Sequence, residues 1–142
     1  MKFEFDIQGG DFSNAGAASS QIKKILKQLN VDTRLIKKTV VALYEAEVNI
    51  VAHAYRGKIF ADIDDKRIDV VLEDEGPGIE NIEEAMEDGY STASDEVREM
   101  GFGAGMGLSN IKKNTDVLNL ESTVGKGTQV QIINYLYETK QE

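Results

Sequence analysis

The chain has 142 residues, 41% of them hydrophobic, and 16 Lys and Arg against 25 Asp and Glu give a net charge of −9 at pH 7. This length and apolar content predict one domain, residues 1–142, and the absence of cysteine excludes disulfides and thiolate metal sites. The acidic charge disfavours nonspecific binding to nucleic acid or an acidic membrane, and no apolar run approaches the roughly 20 residues needed to cross a bilayer.

The first half of the chain predicts one strand followed by two helices. Lys2 to Ile7 alternates charged and apolar residues, which indicates a half-buried strand and no signal peptide, so we expect a cytoplasmic protein. Ala17 to Leu29 places apolar residues at helical spacing, with lysines on the other side. Asp32 is a good N-cap for a longer helix from Thr33 to about Tyr55, whose broad apolar face is predicted to be core.

One strip of the long helix is neither apolar nor strongly charged. Glu45 and Asn49 lie four residues apart and project side by side, offering a carboxylate base next to a neutral oxygen ligand for a hard cation. The small residues around them leave room for a ligand, although a plain surface pair explains the pattern equally well. Glu47 points to a different side and is expected in solvent, whereas His53 is expected to pack or hydrogen bond at the helix end. The strip consists of Ala42, Glu45, Ala46, Asn49, Ala52 and His53.

Two strands with a tight connection follow the long helix. Lys58 to Ile63 and Arg67 to Glu73, joined at Asp64-Asp65, predict an antiparallel hairpin. Asp74 follows the second strand, and Gly76-Pro77-Gly78 predicts a sharp turn where the backbone can approach a flat ligand closely. A carboxylate in this place can accept a hydrogen bond from an exocyclic amine. The alternative is an ordinary Asp-Gly turn between two elements.

The pattern weakens between Ile79 and Met100. Ile82, Ala85 and Met86 indicate a short helix, and a polar stretch over residues 88–94 comes after it. A long loop inside a small domain is usually functional or disordered, and we interpret this one as a lid over a bound ligand.

Four alternating glycines then lead into a helix from Leu108 to Asn114. They are Gly101, Gly103, Gly105 and Gly107. Bare amides ahead of a helix N-terminus can cradle a phosphate, although a flexible loop that happens to precede a helix is the alternative. The chain continues with a strand from Val117 to Ser122, a turn over residues 124–127 and a last strand from Thr128 to Tyr137.

Four short motifs resemble the ordered boxes of the gyrase/histidine-kinase/mismatch-repair (GHKL) superfamily of ATPases. The length of the chain, its N-terminal strand and helix, and the EAEVNIVAHAY stretch of the long helix are most similar to the bacterial anti-sigma-factor and stress-switch serine/threonine kinases. The motifs are Glu45-x-x-x-Asn49, Asp74-x-Gly76-x-Gly78, Gly103-x-Gly105-x-Gly107-Leu108 and Gly127-Thr128.

The resemblance implies an α+β fold, a two-layer sandwich in which a mixed, mostly antiparallel sheet carries helices on one face. It also implies that ATP binds. Asp74 would accept a hydrogen bond from the adenine N6 amine, Gly76 and Gly78 would let the turn pass close to the base, and Thr128 would reach the adenine side.

The phosphate end of ATP would be held by the other two motifs. Asn49 would complete the coordination of Mg²⁺ and Glu45 would be the catalytic base, while Gly103, Gly105, Gly107 and the first helix amides, from Leu108 onward, would hold the phosphates. Some of these kinases carry an arginine two residues before the Gly-x-Gly of the lid. Here that position is Gly103, and the nearby basic residues are Arg98, Lys112 and Lys113.

Three functions fit this resemblance. The first is a serine/threonine kinase that phosphorylates a small antagonist protein and sequesters a regulator such as a sigma factor. The second is an ATP-gated binding module without phosphoryl transfer, and the third is a histidine-kinase-type catalytic domain that acts on a separate protein. All three require a protein partner, and a homodimer is left open.

Overall fold

A five-stranded antiparallel sheet forms one layer of the molecule. The computed structural model describes residues 1–82, 86 and 107–136. The strands are Lys2–Gln8 (β1), Arg56–Ile63 (β2), Arg67–Glu75 (β3), Val117–Thr123 (β4) and Gly127–Tyr135 (β5), in the sheet order β1-β2-β3-β5-β4. The helices are Ala17–Gln28 (α1), Thr33–His53 (α2) and Gly107–Lys113 (α3), with a short 3₁₀ helix at Phe12–Asn14.

The predicted α+β class is confirmed, with one difference in the sheet. All four strand pairings in the described part of the chain are antiparallel, so the mixed sheet that was expected is not found there. β2 and β3 are joined by the predicted tight turn, in which Asp64 Oδ1 accepts the backbone N–H groups of Lys66 and Arg67 at 2.8 and 2.9 Å. β4 and β5 form a second hairpin, and hairpin connections produce antiparallel neighbours.

The helices cover one face of the sheet. Residues of β2 alternate strictly between exposed and buried, so that Ile59, Ala61 and Ile63 are buried while Phe60 on the opposite face is 38% exposed. This period of two is what a sheet with one packed face requires. The core between the layers joins α1, α2, α3 and the sheet, and its fully buried members include Ile22, Leu26, Leu43, Ile59, Leu72, Ile111 and Ile132.

The long helix α2 begins where the sequence predicts. The Asp32 side chain accepts the backbone N–H of Arg34 at 3.0 Å, which satisfies one of the free donors at the helix start. The helix ends at His53, two residues before the predicted Tyr55, because Ala54 is extended and the Tyr55 N–H donates to the sheet at Glu75 O. No helix in the described ranges is long and apolar enough to cross a membrane.

Strand β3 is longer than predicted. Its pairing with β2 continues through Asp74, opposite Gly57, and Glu75, opposite Arg56. Asp74 therefore lies inside the strand and not after it. Counting along the strand, Asp74 has the same parity as Ile68, Val70 and Leu72, and its side chain belongs to the helix-covered face.

A buried polar cluster joins the end of α3 to α2. The Asn134 side chain is fully buried, and its Nδ2 donates to Thr39 Oγ1 at 2.9 Å and to Asn114 O at 3.1 Å. Its Oδ1 accepts the Asp116 N–H at 2.8 Å. Because both ends of the amide are used, this polar side chain is accommodated in the core and fixes the α3–β4 corner.

Candidate functional site

A partly buried carboxylate, Asp74, is the centre of the first predicted group of site residues. Its Oδ1 accepts the Thr128 N–H at 3.0 Å, a contact between β3 and the start of β5. No described residue donates to Oδ2. Burial raises the pKa of Asp74 above its ordinary value, and the Thr128 N–H opposes part of that rise. Among the described residues Oδ2 is therefore an open acceptor in a partly desolvated place, which suits a neutral N–H donor of a ligand.

Gly127 allows the backbone to come close to Asp74. A Cβ at this position would lie 2.0 Å from Asp74 O, and its φ of +154° is one that other residues rarely adopt. Gly78 is similar, with φ +77°, and a Cβ there would lie 2.5 Å from Thr123 O. Both close approaches are between backbone segments of the protein, and the predicted approach of the turn to a flat ligand stays a prediction.

The turn that contains Gly76 lies against two other elements. The Gly76 N–H donates to Lys126 O at 3.0 Å, and the Gly125 N–H donates to Pro77 O at 2.8 Å. A Cβ on Gly76 would also lie 3.0 Å from the Cα of Ala54, at the end of α2. The structure therefore brings together Asp74, Gly76, Gly78, Gly127 and Thr128 as the sequence predicted.

Ser122 belongs to the same group and was missed by the sequence reasoning. Its Oγ accepts the Ile79 N–H at 2.8 Å, lies 2.9 Å from Thr128 Oγ1, and is 3.2 Å from Gly127 O. The hydroxyl thus ties the turn after β3 to the β4–β5 hairpin. The signal that could have found it is the hairpin register, which places Ser122 directly opposite Thr128 across the turn.

The second group of predicted residues meets at the start of α3. A Cβ on Gly107, the first residue of α3, would lie 3.2 Å from Asn49 Oδ1 and 3.3 Å from Asn49 Nδ2. Glu45 is one turn earlier on α2 and is partly exposed, and Leu108 packs its side chain against the core. Gly103 and Gly105 lie outside the described residues, as do most of the predicted short helix and the whole predicted lid.

Both groups are arranged along the second half of α2. Ala54, which contacts Gly76, is nine residues beyond Glu45, about 13 Å along a helix axis, and Asn49 lies between them. Part of the alanine strip does not leave room for a ligand, because Ala42 and Ala46 are 0% and 3% exposed and belong to the core. Glu45 and Asn49 remain partly accessible, as do Ala52 and His53, so the predicted strip loses only Ala42 and Ala46.

Two of the basic residues near the glycine run, Lys112 and Lys113, lie at the opposite end of α3 from the Gly107–Asn49 contact. Lys112 and Lys113 occupy the last turn of α3, five and six residues beyond Gly107, or about 8 to 9 Å along the helix. Arg98 lies outside the described residues. His53 is the partly buried last residue of α2, and burial lowers its pKa. Within the described ranges no three His, Asp or Glu residues cluster to hold a metal ion.

One expectation about α2 is wrong. Glu47, predicted to be in solvent, is 0% exposed, and its carboxylate accepts hydrogen bonds from the start of α1. Two residues along a helix correspond to a rotation of about 200°, so Glu45 and Glu47 project from nearly opposite sides. The sequence spacing separated them correctly, but it could not show that α1 would cover the side of Glu47.

Comparison with known proteins identifies the family of the chain. A family model for the histidine kinase-like ATPase domain matches residues 11–134. The chain therefore belongs to the histidine kinase-like ATPase family, and ATP is the ligand of this family's fold.

The chain is also similar to individual curated proteins. It is 34% identical over 124 residues to the serine/threonine-protein kinase RsbT of Bacillus subtilis strain 168, covering 84% of this chain and 87% of that protein. It is 35% identical over 128 residues to an anti-sigma F factor of Caldanaerobacter subterraneus subsp. tengcongensis, covering 87% and 86%. The predicted membership in the anti-sigma and stress-switch kinase branch is confirmed by these two relatives.

A solved structure shares the fold. A crystal structure of the RsbU and RsbW domains of a Mycobacterium tuberculosis protein contains a region that superposes on this chain with a TM-score of 0.65 and 15% sequence identity, over 96% of this chain and 32% of that one. At this identity the similarity concerns the fold alone, and it confirms the predicted histidine-kinase-like sandwich.

Proposed function

We propose that this chain uses ATP and Mg²⁺ to phosphorylate a hydroxyl group of a small antagonist protein, and that it binds a regulator of the sigma-factor kind. The observation that carries the proposal is the Asp74 carboxylate, with one oxygen held by Thr128 N–H and the other without a described donor. The names of the relatives, one a serine/threonine-protein kinase and another an anti-sigma F factor, support the same reaction class.

Adenine recognition is assigned to the first group of residues. Asp74 Oδ2 accepts the exocyclic N6 amine, and the Thr128 N–H fixes the carboxylate in place through Oδ1. Gly76 and Gly78 keep the wall beside the base free of side chains. The Thr128 hydroxyl, held 2.9 Å from Ser122 Oγ, reaches the adenine side directly or through a water molecule.

Phosphate and metal binding are assigned to the second group. Asn49 offers a neutral oxygen to Mg²⁺, which neutralises phosphate charge when bound, and the remaining ligands come from the phosphates and water. The amides of Gly103, Gly105, Gly107 and Leu108 hold the phosphates. The contact between Gly107 and Asn49 supports a shared location for these two functions.

Glu45 is assigned the role of the catalytic base. Its carboxylate accepts the proton of the acceptor hydroxyl, or orients that hydroxyl, as the oxygen attacks the γ-phosphate. Its partial exposure at the rim of a cleft gives a protein substrate access to it. Residues 1–142 act as one kinase-like domain in this proposal, which is supported by a single core drawn from helices and strands.

A radiolabel experiment tests the kinase assignment. The purified chain is incubated with γ-labelled ATP, Mg²⁺ and a desalted extract of its own cell, and the labelled protein is then identified and purified. Glu45→Gln should abolish transfer to it, whereas Glu73→Gln, an exposed carboxylate on β3, should not. Label that is stable in acid indicates a hydroxyl acceptor. Label transfer unaffected by Glu45→Gln would contradict the assignment.

An ATP-gated binding switch without phosphoryl transfer is the second candidate. It is favoured by Gly103, which stands where an arginine is found in some of these kinases, and by the position of Lys112 and Lys113 at the far end of α3. This function predicts partner affinities that differ between ATP, ADP and no nucleotide, without any labelled product. Acid-labile label would instead indicate a histidine-kinase-type domain.

A further inference from the structure

Glu47 makes the most buried charged interaction in the described part of the molecule. The residue is 0% exposed, and its Oε2 accepts the N–H groups of Gly16 at 2.8 Å and Ala18 at 3.3 Å. Its Oε1 accepts both the N–H and the hydroxyl of Ser19, at 2.9 and 2.7 Å. All four donors belong to the start of α1, so a side chain of α2 satisfies the free N–H groups of another helix.

The start of α1 cannot supply a cap of its own. Its N-cap residue is Gly16, which has φ +92° and no side chain to accept the free N–H groups. A Cβ at Gly16 would lie 2.8 Å from Cε1 of Tyr44, so the ring of α2 occupies the place of a capping side chain. Glu47 therefore caps the start of α1, and its negative charge also complements the positive end of the helix dipole.

The segment held by Glu47 forms one wall of a cleft. The cleft has a volume of about 560 Å³ and lies between the start of α1 and α2. Gly16, Ser20 and Lys23 line it on the α1 side, and Tyr44 and Glu45 line it on the α2 side. Glu45 and Glu47 project from opposite sides of α2. Glu45 lines the cleft directly, whereas Glu47 binds the segment of α1 that forms its wall.

We infer that Glu47 is a positioning residue, which holds the start of α1 so that the cleft beside Glu45 keeps the shape needed to receive the acceptor segment of the protein substrate. This inference rests on the proposed function, in which Glu45 acts on an acceptor hydroxyl. It does not involve the adenine end, because Asp74 and Thr128 contact neither Glu47 nor α1 through any bond of the described residues.

Kinetics with the acceptor protein identified above test the inference. Glu47→Gln places an NH₂ donor among the N–H donors of α1. The start of α1 should then adopt several conformations instead of one. If the competent arrangement falls to about a tenth of the population, the KM for the acceptor rises about tenfold. We expect kcat and the ATP affinity measured by calorimetry to stay within about twofold, since the variant leaves Glu45 and Asn49 in place. The KM of Glu47→Asp should lie between the native value and the raised value of Glu47→Gln.

Distance measurements give a readout that does not need the acceptor. Because the chain has no cysteine, Ser20→Cys and Val41→Cys can carry spin labels on the two sides of the cleft without further changes. The label-to-label distance should be narrow with Glu47 and broad or shifted with Glu47→Gln. If Glu47→Gln does not fold, Ser19→Ala, which removes only the 2.7 Å hydroxyl bond, should give a smaller change of the same kind.

The outcomes separate this inference from the proposed function. Native KM and native distances in both Glu47→Gln and Ser19→Ala would overturn the inference while leaving the kinase assignment intact. An equal loss of kcat and of ATP affinity in Glu47→Gln would also overturn it, since that indicates general damage. Absence of transfer by the unmodified chain would overturn the proposed function, and the inference with it.

Discussion

Asp74→Asn should separate nucleotide binding from folding. In the variant, Asn Oδ1 can still accept the Thr128 N–H, so the amide NH₂ replaces the free carboxylate oxygen Oδ2. An N6 amine would then meet a donor instead of a charged acceptor. Loss of a hydrogen bond to a charged group costs about 1.5–3 kcal/mol. The Kd for ATP should therefore rise roughly tenfold to over a hundredfold.

Although Asp74→Asn should weaken ATP binding, it should not lower the free energy of unfolding of the ligand-free protein. Burial raises the pKa of Asp74, so the folded state favours its protonated form. Such a group contributes stability at pH below its unfolded pKa of 3.8, and that contribution is lost as the pH rises through the higher folded value. At pH 7 the charged carboxylate therefore opposes folding without nucleotide. A neutral Asn of the same shape should leave the ligand-free protein equally stable or more stable.

Calorimetry with ATP and urea unfolding without nucleotide measure the two effects. Asp69→Asn is the matched control, because Asp69 lies on the same strand with its side chain on the opposite face, where it accepts Gln131 Nε2 at 3.2 Å. That control should keep the native Kd. Native ATP affinity in Asp74→Asn, or a loss of stability matching the loss of affinity, would refute the reasoning.

Two further changes test the packing of the site and its neighbourhood. Gly127→Ala forces a Cβ to within 2.0 Å of Asp74 O, and we expect about 1–3 kcal/mol more destabilisation in urea than for Gly125→Ala. The control position also has a positive φ, +80° against +154°, but a Cβ there has nothing within 4 Å. Equal losses would contradict the close approach. His53 has a pKa lowered by burial from its ordinary 6.5, so its contribution to stability is present above that pH and is lost as the pH falls through the folded value. Urea unfolding between pH 7.5 and 5 should show a steeper decline for the native chain than for His53→Gln, and parallel declines would exclude His53 as the cause.

Local patterns predicted most of the described elements because each had a repeating physical signal. The strict alternation of β2 and the cap at Asp32 fixed a strand and a helix start to within two residues. The end of β3 was harder, since Asp74 and Glu75 are poor strand formers by composition. Asp74 and Glu75 belong to the strand because they pair with Gly57 and Arg56 of β2. The sequence around Asp74 carries no signal of that pairing.

The site was predictable where backbone chemistry determines it and unpredictable where distant segments meet. Gly127 and Gly78 are required by close approaches to neighbouring backbone, and the sequence predicted a turn at each of these glycines. Ser122 and Glu47 are ordinary residues whose roles arise from contacts with Ile79 and with the start of α1. Glu47 is the clearest case, because a charged residue on a long helix is usually solvated and only the packing of α1 reverses that expectation.

The short helix α3 contacts α2 at both of its ends. Gly107 lies against Asn49 at the start, and the Asn134 side chain links Asn114, just after the last turn, to Thr39. Within the described residues, these contacts tie both ends of α3 to α2. A substitution at Gly107 or at Asn134 is therefore expected to release one end of α3 from α2 while the other end stays attached.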